Sequence, residues 1–298
     1  MRVLWVKLGV LTVVLSARGA LAQPPMSAGQ LVNEVVYNEL NDHQRHGYWR
    51  YWIERRTQAG TRMEEQVETA DGPITRLALS NGSKLSEAEE RQEQERLERF
   101  LTSREEQARN RRRYDEDEAR IGHILALLPT AFVYTYDGEE NGCYRLRFRP
   151  NPDDQSSSIE SRIFHAMSGE LWVDAHAKRL ARLEGRVGED VDFGFGILGR
   201  LYKGGWFRLQ RIQVSATDWK TESLEIHLNI RAFLVKTFVQ DTSEDRGGFV
   251  RVPAGLNIEQ GLALLSQAGS EYQSAGSRRP SVGSDRGLVS QAALAMRR

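Results

Sequence analysis

The sequence predicts an α+β protein: a curved antiparallel sheet of about ten strands with helices packed on it and an added charged helical segment. Three observations predict it. Segments such as "CYRLRFR" alternate, with Tyr144, Leu146 and Phe148 on one face and Arg145, Arg147 and Arg149 on the other. One dry face and one wet face is the pattern of antiparallel sheet solvated on one side. Second, the strand-like segments follow one another through short connections, so neighbours in sequence should pair as a meander. Third, helical periodicity is confined to a few stretches that flank or interrupt the strands.

The chain has 298 residues. Residues 1–22 read as a secretory leader: Arg2 and Lys7, the apolar run Leu8 to Leu15, then Ala20-Leu21-Ala22 as a small-residue cleavage site. The apolar run is too short to cross roughly 30 Å of hydrocarbon. The expected product is periplasmic or secreted, cleaved after Ala22, and without a cysteine at its new N-terminus for a lipid anchor. Residues 23–268 are expected to form a single domain and 269–298 a disordered tail, rich in Ser, Gly and Arg. The whole chain has 41 basic and 41 acidic residues. Losing Arg2, Lys7 and Arg18 tips the balance slightly acidic, which argues against nucleic acid as a partner. The single cysteine, Cys143, excludes an internal disulfide framework.

Leu31, Val35, Val36 and Leu40 have helical spacing within 27–46. Strands are expected over Tyr48–Arg56, Arg62–Thr69 and Ile74–Leu79. Tyr48, Trp49, Tyr51 and Trp52 put aromatics on both faces of the first strand, which suits either a strand sandwiched between helix and sheet or one with a lipid or partner contact. Ser86 and Ser103 each open a capping-box pattern, predicting two consecutive helices through the charged segment 86–120. Glu87/Arg91, Glu95/Arg99, Glu105/Arg109 and Glu116/Arg120 stand at i,i+4. Arg111-Arg112-Arg113 is followed by the acidic run Asp115 to Glu118, the pattern of a solvated helix face. Ile121, Ile124, Leu125 and Leu128 then form an apolar face that Pro129 should end. From 131 to 240 nearly everything reads as strand, including Ala181–Val187 and the alternation of Leu224, Ile226, Leu228 and Ile230 with Glu225, His227 and Asn229. A short helix over 258–267 closes the domain.

Gly194, Gly196 and Gly199 spell G-x-G-x-x-G, and Asp192-Phe193-Gly194 spells D-F-G. The fingerprint needs a buried strand before it and a helix after it, so that a helix N-terminus meets the pyrophosphate. Here an acidic segment precedes and a strand pattern follows. These glycines, with Gly204 and Gly205, are better read as bends in a curved sheet.

The segment "MSGELWVDAHAKRLARL", with the glycine-hinged run and the aromatic strand after it, and "YRLRFRPNP" before it, resembles the LolA-like superfamily over about 120–245. That resemblance implies an exported carrier whose half-barrel encloses a cavity for acyl chains or another apolar ligand. Segment 86–120 and the tail depart from the smaller carriers, and no carrier residue transfers individually. Tyr144, Leu146, Phe148, Leu224, Ile226, Leu228 and Ile230 would line such a cavity, or simply pack as core against 31–40 and 121–128.

Chemistry is sparse. His43 and His46 lack a third ligand at recognisable spacing, Asp174 and His176 fall in a hairpin turn, and His123, His165 and His227 are scattered. No H-E-x-x-H, G-x-S-x-G or S-x-x-K motif is present. No cofactor or metal is expected. The reading is a non-enzymatic protein that binds or shuttles a hydrophobic ligand, a lipid or a lipidated protein, at the cell envelope. A protein-interaction module with a filled core is the alternative, and a hydrolase with a dispersed site the third.

Overall fold

The computed structural model describes residues 26–41, 47–156, 158–193, 199–232 and 236–265. Helix α1 (Ala28–Leu40) is followed by strands β1 (Tyr48–Thr57), β2 (Gly60–Val67), β3 (Ile74–Ser80) and β4 (Ser83–Lys84). Helices α2 (Glu87–Thr102) and α3 (Arg104–Ala131) come next. Strands β5 (Phe132–Glu140) and β6 (Cys143–Pro150) lead to α4 (Ile159–His165) and then β7 (Met167–Asp174) and β8 (Leu180–Val187). The chain continues with β9 (Val191–Phe193), β10 (Gly199–Leu201), β11 (Trp206–Gln213), β12 (Trp219–Ala232) and β13 (Lys236–Val252), and α5 covers 258–265.

All strands join one antiparallel sheet of 13 strands in the order β4-β3-β2-β1-β13-β12-β11-β8-β7-β6-β5, with β9 and β10 branching from β12. This is the α+β class with an open sheet, since β4 and β5 stand at opposite ends and do not pair. The expected meander is present, with two exceptions. The last strand returns to β1, and β8 reaches β11 across the β9–β10 hairpin. Register shifts at Arg50/Trp52, Met63/Glu64, Tyr136/Gly138, Trp172/Val173 and Gln210/Arg211 bend the ladders locally.

Several expectations need correction. The sheet has more strands than the expected ten because β4, β9 and β10 are very short segments without a visible alternation. Helix α4 interrupts the stretch expected to be all strand; Ser158 caps it, accepting from the Ser161 N–H. Pro129 does not end α3, which runs on to Ala131. A proline so near the C-terminus forfeits only one late hydrogen bond. Ser86 makes a full capping box, whereas Ser103 only accepts from the Glu106 N–H. Three of the four ion pairs form as spaced, but Arg120 turns to Asp117 at 3.1 Å instead of Glu116. Gly194 and Gly196 lie outside the described residues. Gly199 opens a strand, and Gly204 takes φ 90° in the turn before β11.

Helix α1 lies on one face of the sheet, the inner face, and its Leu31, Val32, Val35 and Val36 are buried with Leu146, Phe148, Leu171, Val173 and Val187. Burial of four such side chains contributes on the order of 6–10 kcal/mol before ordering costs. Leu125 and Leu128 of α3 pack against the same cluster. On the outer face α5 sets Leu262 and Leu265 over Val67 and Ile74. No helix among the described residues is long and apolar enough to cross a membrane.

Candidate functional site

A single cross-strand row defines the inner face. Tyr136, Leu146, Leu171, Leu183, Leu209 and Leu224 stand opposite one another from β5 to β12, and the row continues as Glu244, Arg55 and Arg62 on β13, β1 and β2. Five leucines therefore give way to charge between β12 and β13. Exposure rises along the row: Leu146 and Leu171 are buried, while Leu183, Leu209 and Leu224 are half-buried. The parallel row Tyr134, Phe148, Gly169, Gly185, Phe207 and Ile226 shows how the sheet bends there. A side-chain carbon at Gly185 would sit 2.3 Å from the Phe207 ring, and one at Gly169 would sit 1.9 Å from the Glu184 carbonyl oxygen and 2.8 Å from Phe148. The two glycines make room for the two rings.

The seven residues expected to line a cavity divide accordingly. Leu146 and Phe148 are core beneath α1, and Tyr144, Leu228 and Ile230 pack half-buried against that core. Leu224 and Ile226 are half-buried beside Leu209 and Phe207. Together these form an apolar strip along β11 and β12 that α1 seals only in part.

Helix α1 is locked by charge as well as by packing. Glu39 accepts two hydrogen bonds from Arg179 at 3.0 Å, one from the Leu180 N–H at 3.2 Å, and pairs with Arg211 at 2.5 Å. Burial pushes the Glu39 carboxyl up, but Arg211 and Arg179 outweigh it and hold the group ionised, below the usual range.

The other half of the inner face is polar. Arg55 donates to Glu244, which also pairs with Arg246; Gln66 donates to the Tyr51 hydroxyl; Lys220 pairs with Glu68 at 2.7 Å. Helices α2 and α3 roof this sector and leave two cavities. The larger, about 1090 Å³, lies between the N-terminal half of α3, the end of α2, Arg55 of β1 and the start of β3, at the edge where Ile74 and Phe100 also meet the α5 cluster; Arg55, Thr75, Phe100, Asn110, Arg112 and Arg113 are among its walls. The smaller, about 480 Å³, sits between α2 and the β1–β2 hairpin. Asn81 at the latter's rim takes φ 49° and its side chain accepts the Thr61 N–H.

Arg111, Arg112 and Arg113 are all exposed, as a solvated helix face requires, but their partners differ. The structure separates them: Arg111 pairs with Asp71 and Asp115, both at 3.3 Å, while Arg112 and Arg113 border the larger cavity. The signal in the sequence was the i,i+4 spacing of Arg111 and Asp115, which leaves its two neighbours on other faces. The aromatic cluster resolves to Trp49 and Tyr51 buried on the inner face and Trp52 half-buried on the outer one.

No concentrated chemistry is assembled among the described residues. Among the described residues no three His, Cys, Asp or Glu side chains gather closely enough to hold a metal ion. His227 stacks on Trp206 on the outer face, His165 contacts Asp154 at 3.2 Å, and Asp174 caps the β7–β8 turn through the His176 and Ala177 N–H groups. His43 and His46 lie outside the described residues. Burial first, then Asp174 and Glu140, push the Cys143 thiol up, which works against thiolate chemistry.

No family model matches the chain, and no curated protein matches it. Among solved structures it is similar to the crystal structure of a DUF1329 family protein from Desulfovibrio piger, at 12% identity and a TM-score of 0.29, over 78% of this chain and 95% of that one.

Proposed function

We propose that this chain is an exported, non-enzymatic binding protein of LolA-like architecture, which takes a hydrophobic ligand on the inner face of its open sheet. The observation that carries the reading is the half-buried apolar strip of Phe207, Leu209, Leu224, Ile226, Leu228 and Ile230. An open sheet cannot fill all of its inner face from its own strands, and such mouths are where apolar ligands settle. Each methylene laid along the strip would contribute about 0.8 kcal/mol. The leader pattern of residues 1–22 is the support for export, and the cell envelope is the corresponding place of action.

A second reading has its own observation. Leu31 of α1 and Leu146 and Val173 of the strands beneath it are fully buried, so the hollow between β5 and β8 is already filled, as a protein-interaction module would have it. Native mass spectrometry of residues 23–298, purified without detergent and followed by lipid extraction, decides between them. A stoichiometric acyl species supports the binding protein. A clean apo mass, with no lipid taken up from vesicles, overturns it in favour of the filled module.

A further inference from the structure

The larger cavity begins where the leucine row ends. Arg55, in its wall, is two strands from Leu224 in the same row, about 10 Å at the usual strand spacing. Glu244 stands between them in the row, neutralised by Arg55 and Arg246, so a ligand on the apolar strip that is long enough to cross that position would reach the cavity with its polar end.

The guanidinium groups there differ in commitment. Arg55 is held by Glu244 at 2.8 Å and Arg96 by Glu93 at 2.7 Å, so both are fixed parts of the wall. Arg109 leans back to Glu105 at 3.8 Å. Arg112 and Arg113 have no ion pair among the described residues, although both border the cavity. A guanidinium presents paired N–H donors that match the oxygens of a phosphate. Two uncommitted guanidinium groups on one helix, above a polar floor, suit one phosphate group. Glu106, Glu116 and Asp117 border the same space and would repel a second negative charge, so a singly charged diester fits better than a polyphosphate. Phe100, Ile74 and Pro73 give the cavity an apolar side, where the first carbons of an ester substituent can rest.

We propose that this cavity is a phosphodiester-binding site, with Arg112 and Arg113 as the groups that take the anion, and that it holds the head group of an amphiphile whose chains lie on the β11–β12 strip. The second half of that statement rests on the hydrophobic-ligand reading above; the first half does not.

Three soluble probes separate the contributions by titration calorimetry on residues 23–298: dihexanoyl phosphatidylglycerol, dihexanoyl glycerol without phosphate, and dimethyl phosphate without chains. The expected result is that the phosphatidylglycerol binds roughly tenfold or more tighter than the dihexanoyl glycerol, the scale of one charge-assisted contact set. The Arg112→Ala/Arg113→Ala variant abolishes that advantage. Both side chains are exposed, so the fold is not at stake. The Arg91→Ala/Arg104→Ala variant, with the same loss of charge outside the cavity, keeps it. Equal binding of the two acyl probes, or a preference that survives in the Arg112/Arg113 variant, overturns the site. If only dimethyl phosphate binds, and does so through Arg112 and Arg113, the anion site stands and the hydrophobic-ligand reading falls.

Discussion

Replacing Asp218 should unfasten the join between the two halves of the sheet. Asp218 is fully buried at the β11–β12 turn, yet it serves residues far away in sequence. One carboxylate oxygen accepts the Gly47 N–H at 2.5 Å and the Trp49 indole N–H at 3.2 Å; the other accepts the Ser215 and Thr217 hydroxyls. Burial pushes this carboxyl up, but the hydrogen bonds from Ser215, Gly47, Thr217 and Trp49 prevail and bring it from 3.8 to about 2. A folded pKa below the unfolded one means stability that is complete above about pH 4 and lost as pH falls through about 2, worth about 2 kcal/mol. Asp218→Asn removes the charge but keeps the shape, so it should cost about 2 kcal/mol and abolish that acid-labile share. Asp218→Ala also strands two buried donors and should cost about 3–5 kcal/mol, since each unsatisfied group costs about 1–3. Urea unfolding followed by tryptophan fluorescence at pH 7 and at pH 3 measures both, with Trp49 itself in contact with the site. A cost below about 1 kcal/mol for the alanine variant would refute the reasoning, because it would show that the donors find water or other partners. So would an unchanged acid sensitivity in the asparagine variant.

Two further outcomes follow from the packing of the inner face. Glu39→Gln removes the carboxylate that pairs with Arg211 and accepts from Arg179, and should destabilise the chain by about 3–5 kcal/mol, the cost of breaking a buried pair from one side, loosening α1 first. Hydrogen exchange should then show α1 amides opening ahead of β6 and β7, and uniform exchange across all three would contradict the latch. Gly185→Ala drives a methyl group into the Phe207 ring and should cost about 1–3 kcal/mol through overpacking. A thermal melt unchanged from that of the unaltered chain would mean the ring moves aside freely.

The strands were legible because alternation is a local signal. Tyr144, Leu146 and Phe148 lie on the inner face as the pattern requires, and so do Leu224, Ile226, Leu228 and Ile230. What alternation cannot convey is which inner-face residues a helix will cover. Leu146 and Ile226 look alike in sequence, and only the position of α1 across the sheet buries one and leaves the other half-open. The polar half of the inner face was hidden for a related reason. Arg55 and Glu244 read as surface charges along their own strands and become neighbours only because β13 returns to β1. Pairings between residues nearly two hundred positions apart leave no trace in local periodicity. Asp218 escaped notice likewise, since a turn aspartate is the ordinary expectation and its partners Gly47 and Trp49 are remote.

The edge of the sheet beside α2 ends in a side-chain imitation of a strand. Glu93 accepts the Leu77 N–H at 2.8 Å, Arg96 donates to the Thr75 carbonyl at 2.6 Å, and the two side chains are paired with each other. A donor and an acceptor of β3 that would otherwise invite another chain are thus already spoken for. The charged helical segment that departs from a plain half-barrel is therefore also its selvedge: it keeps one copy of the sheet from knitting onto the next at high concentration.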